Sequence, residues 1–208
     1  MSRYMSLGKQ AKVLSKKQIA VVAEYLGCRR CGLRNQAVFL LSVKAGLRAK
    51  EIASLKWAMV MNSAGEISDT IHLTNEASKG NSGRIVAMND DVRAALIALF
   101  DDTLARSSAL SDEDHISDTF VVRTERADRT SAQVIVNMFA GWYRDLGLVG
   151  CSSHSGRRTF ITETAKKIST VGGSLRDVQV MAGHKSLNTT QRYIDYDTEA
   201  QRRVVNLL

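Results

Sequence analysis

The stretch RNQAVFLLSVKAGLRAKEIASLKW, residues 34–57, holds two helical patterns with a stop between them. Arg34 to Ala45 is apolar enough for a buried helix, Gly46 reads as the glycine that ends it, and AKEIASLKW opens another helix at once. Arg48 is therefore expected at a tight junction between two helices. Upstream, Ile19, Val22 and Leu26 fall on one face of an earlier helix. Downstream the period changes: WAMVM, TIHLT and RIVAM are short β-type runs separated by NSAGEISD and NEASKGNSG, which predicts a small three-stranded antiparallel sheet with Lys79 in its second connection. After Asn89 the pattern is helical again through DDVRAALIALF, SAQVIVNMFAGWYRDLG, SGRRTFITETAKKI, SLRDVQVMAG and the segment around Tyr193, with a polar loop from about Ser107 to Asp118. The expected fold class is mainly α with one small antiparallel sheet.

With 208 residues, 44% hydrophobic and 24% charged, the chain has the composition of a folded domain rather than a disordered one. The longest apolar run, Ala37 to Val43, is too short to span a bilayer, and the N-terminus lacks a signal-peptide pattern, so a cytoplasmic location is expected. A formal charge of +8 favours a polyanionic partner, because lysines and arginines placed on phosphates release condensed counterions. Cys28 and Cys31 form a CxxC with no second pair, no nearby histidine and a helix-then-turn context, so neither a zinc site nor a redox centre is indicated.

Chemistry gathers in four stretches. SSHSGRRTF puts His154 and Arg157 three apart near a helix start, where both can face one side of the first turn. GHKSLNTTQRYIDY follows a histidine with two tyrosines. Taken in order, AGLRAKEIASLKW, SKGNSGRIV, HSGRRTF and GHKSLNTTQRY resemble the catalytic domain of the tyrosine recombinases, or phage integrase family. That domain carries G-L-R-x-x-E, a lysine in a β-hairpin turn, H-x-x-R, G-H, and a tyrosine nine residues beyond the second histidine. The resemblance implies Arg48, Lys79, His154, Arg157, His184 and Tyr193 as the active-site set. Tyr193 has the family spacing from His184, whereas Tyr196 lies three residues too late and is assigned to packing or local hydrogen bonding.

These residue types suit phosphodiester cleavage. A tyrosyl oxygen, with an ordinary pKa of about 10, needs a base or a positive field to attack near neutrality. Forked guanidinium groups at Arg48 and Arg157 can hold the non-bridging oxygens as charge builds on them. Lys79 would protonate the leaving 5′ oxygen, His154 would assist proton removal from Tyr193 or hold the phosphate, and His184 would hydrogen-bond a non-bridging oxygen. Glu51 would aim Arg48, and Arg158, turned about 100° from Arg157 on a helix, would meet DNA backbone or solvent.

The resemblance implies a site-specific recombinase that works through a 3′-phosphotyrosyl link, without cofactor or metal. Its partners would be double-stranded DNA and its own copies, assembled as a tetramer on two sites through the C-terminal helix DTEAQRRVVNLL, along with DNA-bending accessory proteins. Residues 1–13 would form a short basic arm, extended by Lys16 and Lys17, and residues 14–208 the catalytic domain, as in compact members without a clamp domain such as the fimbrial phase-switch invertases. Two departures stand out. Gly156 replaces the leucine usual before the second arginine, which predicts looser seating of Arg157; Ala87 stands where a proline is usual. A recombination-inactive DNA-binding relative and a type IB topoisomerase-like relaxing enzyme remain open as alternatives.

Overall fold

A computed structural model describes residues 11–78, 83–107, 113–124 and 127–193, together with 202 and 204–206. Among the described residues the named helices and the hairpin follow in the order α1 (Lys16–Gly27), α2 (Gly32–Val43), α3 (Ala49–Ala53), β1 (Thr70–Leu73), β2 (Arg84–Ala87), α4 (Asp90–Ser107), α5 (Ala132–Asp145), α6 (Ser155–Lys167), α7 (Leu175–Ala182) and α8 (Leu187–Gln191). Several helix starts are written in the sequence. Ser15 accepts from the Gln18 amide while Gln18 accepts from the Ser15 amide, closing a capping box on α1. Ser131 caps α5, Ser186 caps α8, and the Ser174–Asp177 pair closes the start of α7.

Helix α2 is the central element. Ala37, Val38, Phe39, Leu41 and Val43 are buried on it, and α1, α4 and α6 pack around it. Trp57, Phe39, Phe139 and Tyr143 fill the main core, where a fully buried phenylalanine contributes about 1.5–3 kcal/mol. A smaller cluster of Phe160, Ile161, Val178 and Ala182 joins α6 to α7, with Tyr193 against its edge. No helix among the described residues is long and apolar enough to cross a membrane.

Among the described residues the sheet has two strands, not three. β1 and β2 pair antiparallel with Thr70 opposite Ala87 and Leu73 opposite Arg84, turning Ile71, Leu73 and Val86 into the core. WAMVM instead makes a 3₁₀ turn at Trp57–Met59. Its flanks pair only as single bridges, Lys56 with Phe120 and Met61 with Ile67. A short apolar run does not distinguish a strand from a buried turn. Here Trp57 settles it by burying completely against Phe100, with ring centres 4.9 Å apart.

Of the expected basic arm, only the end nearest α1 falls among the described residues. Lys16 and Lys17 form the first turn of α1. The chain before them is docked: the Leu14 amide donates to the Thr159 hydroxyl on α6 at 2.8 Å, and the Lys12 amide to the Gly150 carbonyl at 3.2 Å. Residues 1–10 lie outside the described residues.

Gly156 does not loosen α6. It is buried where α6 crosses α2, and a Cβ there would sit 2.4 Å from the Ser42 Oγ, 3.0 Å from its Cβ and 3.2 Å from its backbone carbon. Glycine is what lets the two helices meet. Gly156→Ala should therefore destabilise: overpacking costs about 1–3 kcal/mol, more than the roughly 1 kcal/mol of helix propensity gained. Thermal unfolding should show a midpoint lower by several degrees, at about 2–4 °C per kcal/mol for a chain this size. Ser42→Ala in the same chain should recover part of the loss.

Candidate active site

The site is organised around the end of α7. A helix leaves its last carbonyls without intrahelical partners, and they carry the negative end of its dipole. Here three successive carbonyls each take a different arginine. The Arg84 Nε donates to Met181 at 3.0 Å, an Arg157 Nη to Ala182 at 2.5 Å, and an Arg48 Nη to Gly183 at 3.4 Å. The arginines come from β2, from α6 and from the residue that precedes α3. Gly183 makes the turn possible with φ of 61°, and a Cβ there would fall 2.9 Å from Arg84.

Arg157 is held at its other side by the Gly46 carbonyl, 2.6 Å from a second Nη. Gly46 has φ of 68°, and a Cβ there would strike the Phe160 ring at 2.4 Å. Helix α6 thus fastens the α2–α3 turn twice, with Phe160 above Gly46 and Arg157 on its carbonyl. That turn delivers Arg48 to the site.

Glu51 is completely buried on α3 and faces two arginines. Its Oε1 accepts from Arg48 at 2.8 Å and from Arg84 at 2.9 Å; its Oε2 accepts from the Arg48 amide at 2.8 Å and from Arg84 at 3.2 Å. Burial pushes the carboxyl pKa up, but hydrogen bonds and charge from Arg84, then from Arg48, outweigh it and hold the value below the ordinary range. Three guanidinium groups against one carboxylate leave the site net positive. Burial, then the neighbouring Arg48, lowers the Arg157 pKa to about 10, which leaves it charged at neutral pH.

His184 follows Gly183 directly and is buried. Its Nδ1 lies 3.0 Å from the Thr190 hydroxyl, and its carbonyl accepts from the Gln179 side chain at 2.9 Å. Burial, reinforced by Arg157, Arg48 and Arg84, lowers its pKa to about 4, so the ring is neutral at pH 7. Tyr193 sits just past α8, and its ring stacks on His184 with centres 5.4 Å apart and planes 23° apart. The Thr162 hydroxyl on α6 donates to the Tyr193 carbonyl at 3.0 Å, and the Arg158 guanidinium lies 5.9 Å from the ring centre. The nine-residue spacing from histidine to tyrosine is thus the length needed to go out through α8 and come back.

Of the six residues expected, the structure brings Arg48, Arg157, His184 and Tyr193 to one place. His154 stands immediately before α6, exposed, and its described ring contact is to Ser153 at 3.5 Å rather than to Arg157 or Tyr193. Lys79 and Tyr196 lie outside the described residues. The connection that holds Lys79 is tied at its described ends: Lys50 donates to the Ser78 carbonyl at 2.9 Å, and the Gly83 amide to the Asn75 side chain at 2.9 Å. Arg84 was missed by sequence reasoning, because an arginine opening a strand reads as an edge charge. The available signal was Glu51: a carboxylate in a helix this apolar needs more than one cationic partner.

In fold, the chain is a tyrosine recombinase catalytic domain. It matches a crystal structure of XerA recombinase with a TM-score of 0.70 at 23% identity, over 94% of this chain and 64% of that one. It also matches XerH site-specific recombinase bound to a palindromic difH substrate, with a TM-score of 0.70 at 18% identity, over 93% and 51%. The chain belongs to the phage integrase family, whose profile matches residues 12–200. Among curated relatives, tyrosine recombinase XerC of Herpetosiphon aurantiacus is 27% identical over 182 residues, 84% of this chain and 54% of the relative. This chain spans about half the length of the curated relatives it matches.

The depressed His184 pKa has a consequence for stability. The unfolded chain takes up this proton near pH 6.5 and the folded chain only near pH 4, so stability is full above pH 6.5 and falls as the pH drops toward 4. Urea unfolding of the wild type should show that loss between pH 6.5 and 4.5, and His184→Gln should show a shallower slope over the same interval.

Proposed function

We propose that residues 14–208 act as the catalytic domain of a site-specific DNA recombinase that cuts and rejoins strands through Tyr193. The supporting observation is the placement of Tyr193 against neutral His184, beside two arginines anchored on consecutive carbonyls. In this reading Arg48 and Arg157 hold the non-bridging oxygens of the scissile phosphate, and their charge offsets what accumulates as the bond forms. His184, uncharged and fixed through Nδ1, hydrogen-bonds the same phosphate.

The tyrosyl oxygen forms a bond to phosphorus and the bond to the 5′ oxygen breaks. Lys79 gives a proton to the departing 5′ oxygen, and the phenolic proton leaves to a base; for His154 to take it, or to hold the phosphate, its exposed ring must turn from Ser153 toward the site. The products are a 3′-phosphotyrosyl link and a free 5′ hydroxyl. Attack by another strand's 5′ hydroxyl reverses the steps and reseals DNA, with the phosphoester energy retained throughout. Relatives of this fold have been seen bound to recombination-site DNA, and the +8 charge suits that partner. Assembly into a tetramer on two sites, with the C-terminal segment docking on a neighbour and DNA-bending proteins assisting, belongs to the same proposal. The exposed Val204 and Val205 support the docking step.

The test is covalent trapping on nicked duplexes drawn from the surrounding genomic DNA. Wild type should give a protein band carrying DNA after denaturation, Tyr193→Phe none, and Tyr196→Phe as much as wild type. Loss in Tyr196→Phe alone would move the nucleophile, and wild type without adduct but with DNA bound would favour a recombination-inactive relative. Supercoil relaxation by a monomer without strand exchange would favour the topoisomerase reading. Lys79→Ala should cleave a 5′-bridging phosphorothiolate, whose leaving group needs no proton, far better than an ordinary phosphodiester. Absence of that rescue would assign the acid to another group.

A further inference from the structure

We propose that Arg84 is a positioning residue of this site: through the buried carboxylate of Glu51 and the end of α7 it sets where the Arg48 guanidinium stands. The inference rests on Arg48 holding the scissile phosphate, as proposed above. Arg84 is not placed to reach substrate itself. Its side chain is only 6% exposed, and three of its N–H groups point inward, to both oxygens of Glu51 and to the Met181 carbonyl.

The geometry is a closed frame. Arg48 rests on two supports, the Glu51 carboxylate and the Gly183 carbonyl. Arg84 grips the same carboxylate and the carbonyl of Met181, two residues before Gly183 on the same helix end. Each support of Arg48 is therefore also held by Arg84. An ionised carboxylate has about four acceptor positions. Arg48 uses one on each oxygen, through its side chain and its own amide, and Arg84 uses one on each.

Without Arg84, half of a fully buried carboxylate loses its partners. Its remaining charge then falls on Arg48 alone, drawing the guanidinium inward and away from a phosphate. Lysine cannot substitute, because one ammonium cannot engage two carboxylate oxygens and a carbonyl with the planar fork of a guanidinium. The positive φ of Gly183 belongs to this frame as well, since a Cβ there would occupy the place of the Arg84 head group.

The experiment is a double-mutant cycle in single-turnover adduct formation, with Arg84→Gln, Arg84→Lys, Glu51→Gln and the Glu51→Gln/Arg84→Gln pair. DNA affinity and thermal unfolding are measured beside it. Arg84→Gln and Arg84→Lys should each slow cleavage by about tenfold or more while DNA affinity changes by less than about threefold. The double variant should be no slower than Glu51→Gln alone, since a neutral amide makes no charge demand on Arg48. Additive losses would overturn the proposal.

A pH profile gives a readout that general destabilisation does not move. Among the described residues, the charged groups that act with Glu51 are Arg48 beside it, Arg84 on β2 and Arg157 on α6, and the neutral His184 feels the same three arginines. Removing Arg84 raises the Glu51 pKa, so Arg84→Gln should gain an acid limb in its cleavage rate that Glu51→Gln and the double variant lack. Superimposable profiles for Arg84→Gln and the double variant would count against it. If Arg84→Gln does not fold, Arg84→Lys carries the same cycle. If wild type forms no adduct, the recombinase reading fails, and the side-chain Nε–Hε resonance of Arg48 decides this one: it should shift in the Arg84 variant, and an unchanged resonance would overturn the positioning role.

Discussion

Three arginines from separate parts of the chain end on three consecutive carbonyls at the C-terminus of α7, and the rest of the site depends on that convergence. A helix end provides unpaired acceptors at fixed spacing, and a left-handed glycine lets the chain turn off without covering them. Cations normally repel one another at this range. Here each is satisfied by a different carbonyl, and the helix dipole favours all of them together. The same turn places His184 next in sequence, so the arginine cluster and the histidine are positioned by one backbone event.

Glu51 is the counterweight. A completely buried carboxylate is costly unless every acceptor is occupied, and it is occupied here by Arg48 and Arg84 on both oxygens. One negative charge among three positive ones keeps the cluster together while leaving a surplus for an anion from outside. Burial, reinforced by that surplus, keeps His184 neutral, which makes the ring a hydrogen-bonding group rather than a fourth cation. Helices α3, α6 and α7, with β2, are thus joined through charge as well as through apolar contact. The apolar contacts at the site itself are few, chiefly Phe160, Ile161, Val178 and Ala182.

Much of this was legible along the chain. The helix pattern of 34–57, the stop at Gly46 and the short β runs placed the main elements, and the family resemblance pointed to Arg48, Arg157, His184 and Tyr193, four residues that the fold does bring together. The third strand was not legible, because WAMVM carries no period that separates a strand from a turn and its outcome depends on Phe100, distant in sequence. Gly156 read as a loss of support and is instead the point where α6 meets α2. A missing side chain looks like a defect until the neighbouring surface is known. Arg84 escaped notice for the same kind of reason: its partners Glu51 and Met181 lie 33 and 97 residues away.

The sequence by itself determined which groups are present and at what local intervals: a glycine where the chain must reverse, a serine or serine–aspartate cap where a helix must start, a histidine nine residues before a tyrosine. These are short-range facts, set by backbone sterics and by hydrogen bonds within a few residues. Only the tertiary structure decided which arginine faces which carbonyl, that Glu51 answers two of them, and that Arg84 belongs to the site at all. The cost of burying a charge depends on every partner within a few ångströms, and those partners arrive from four different elements.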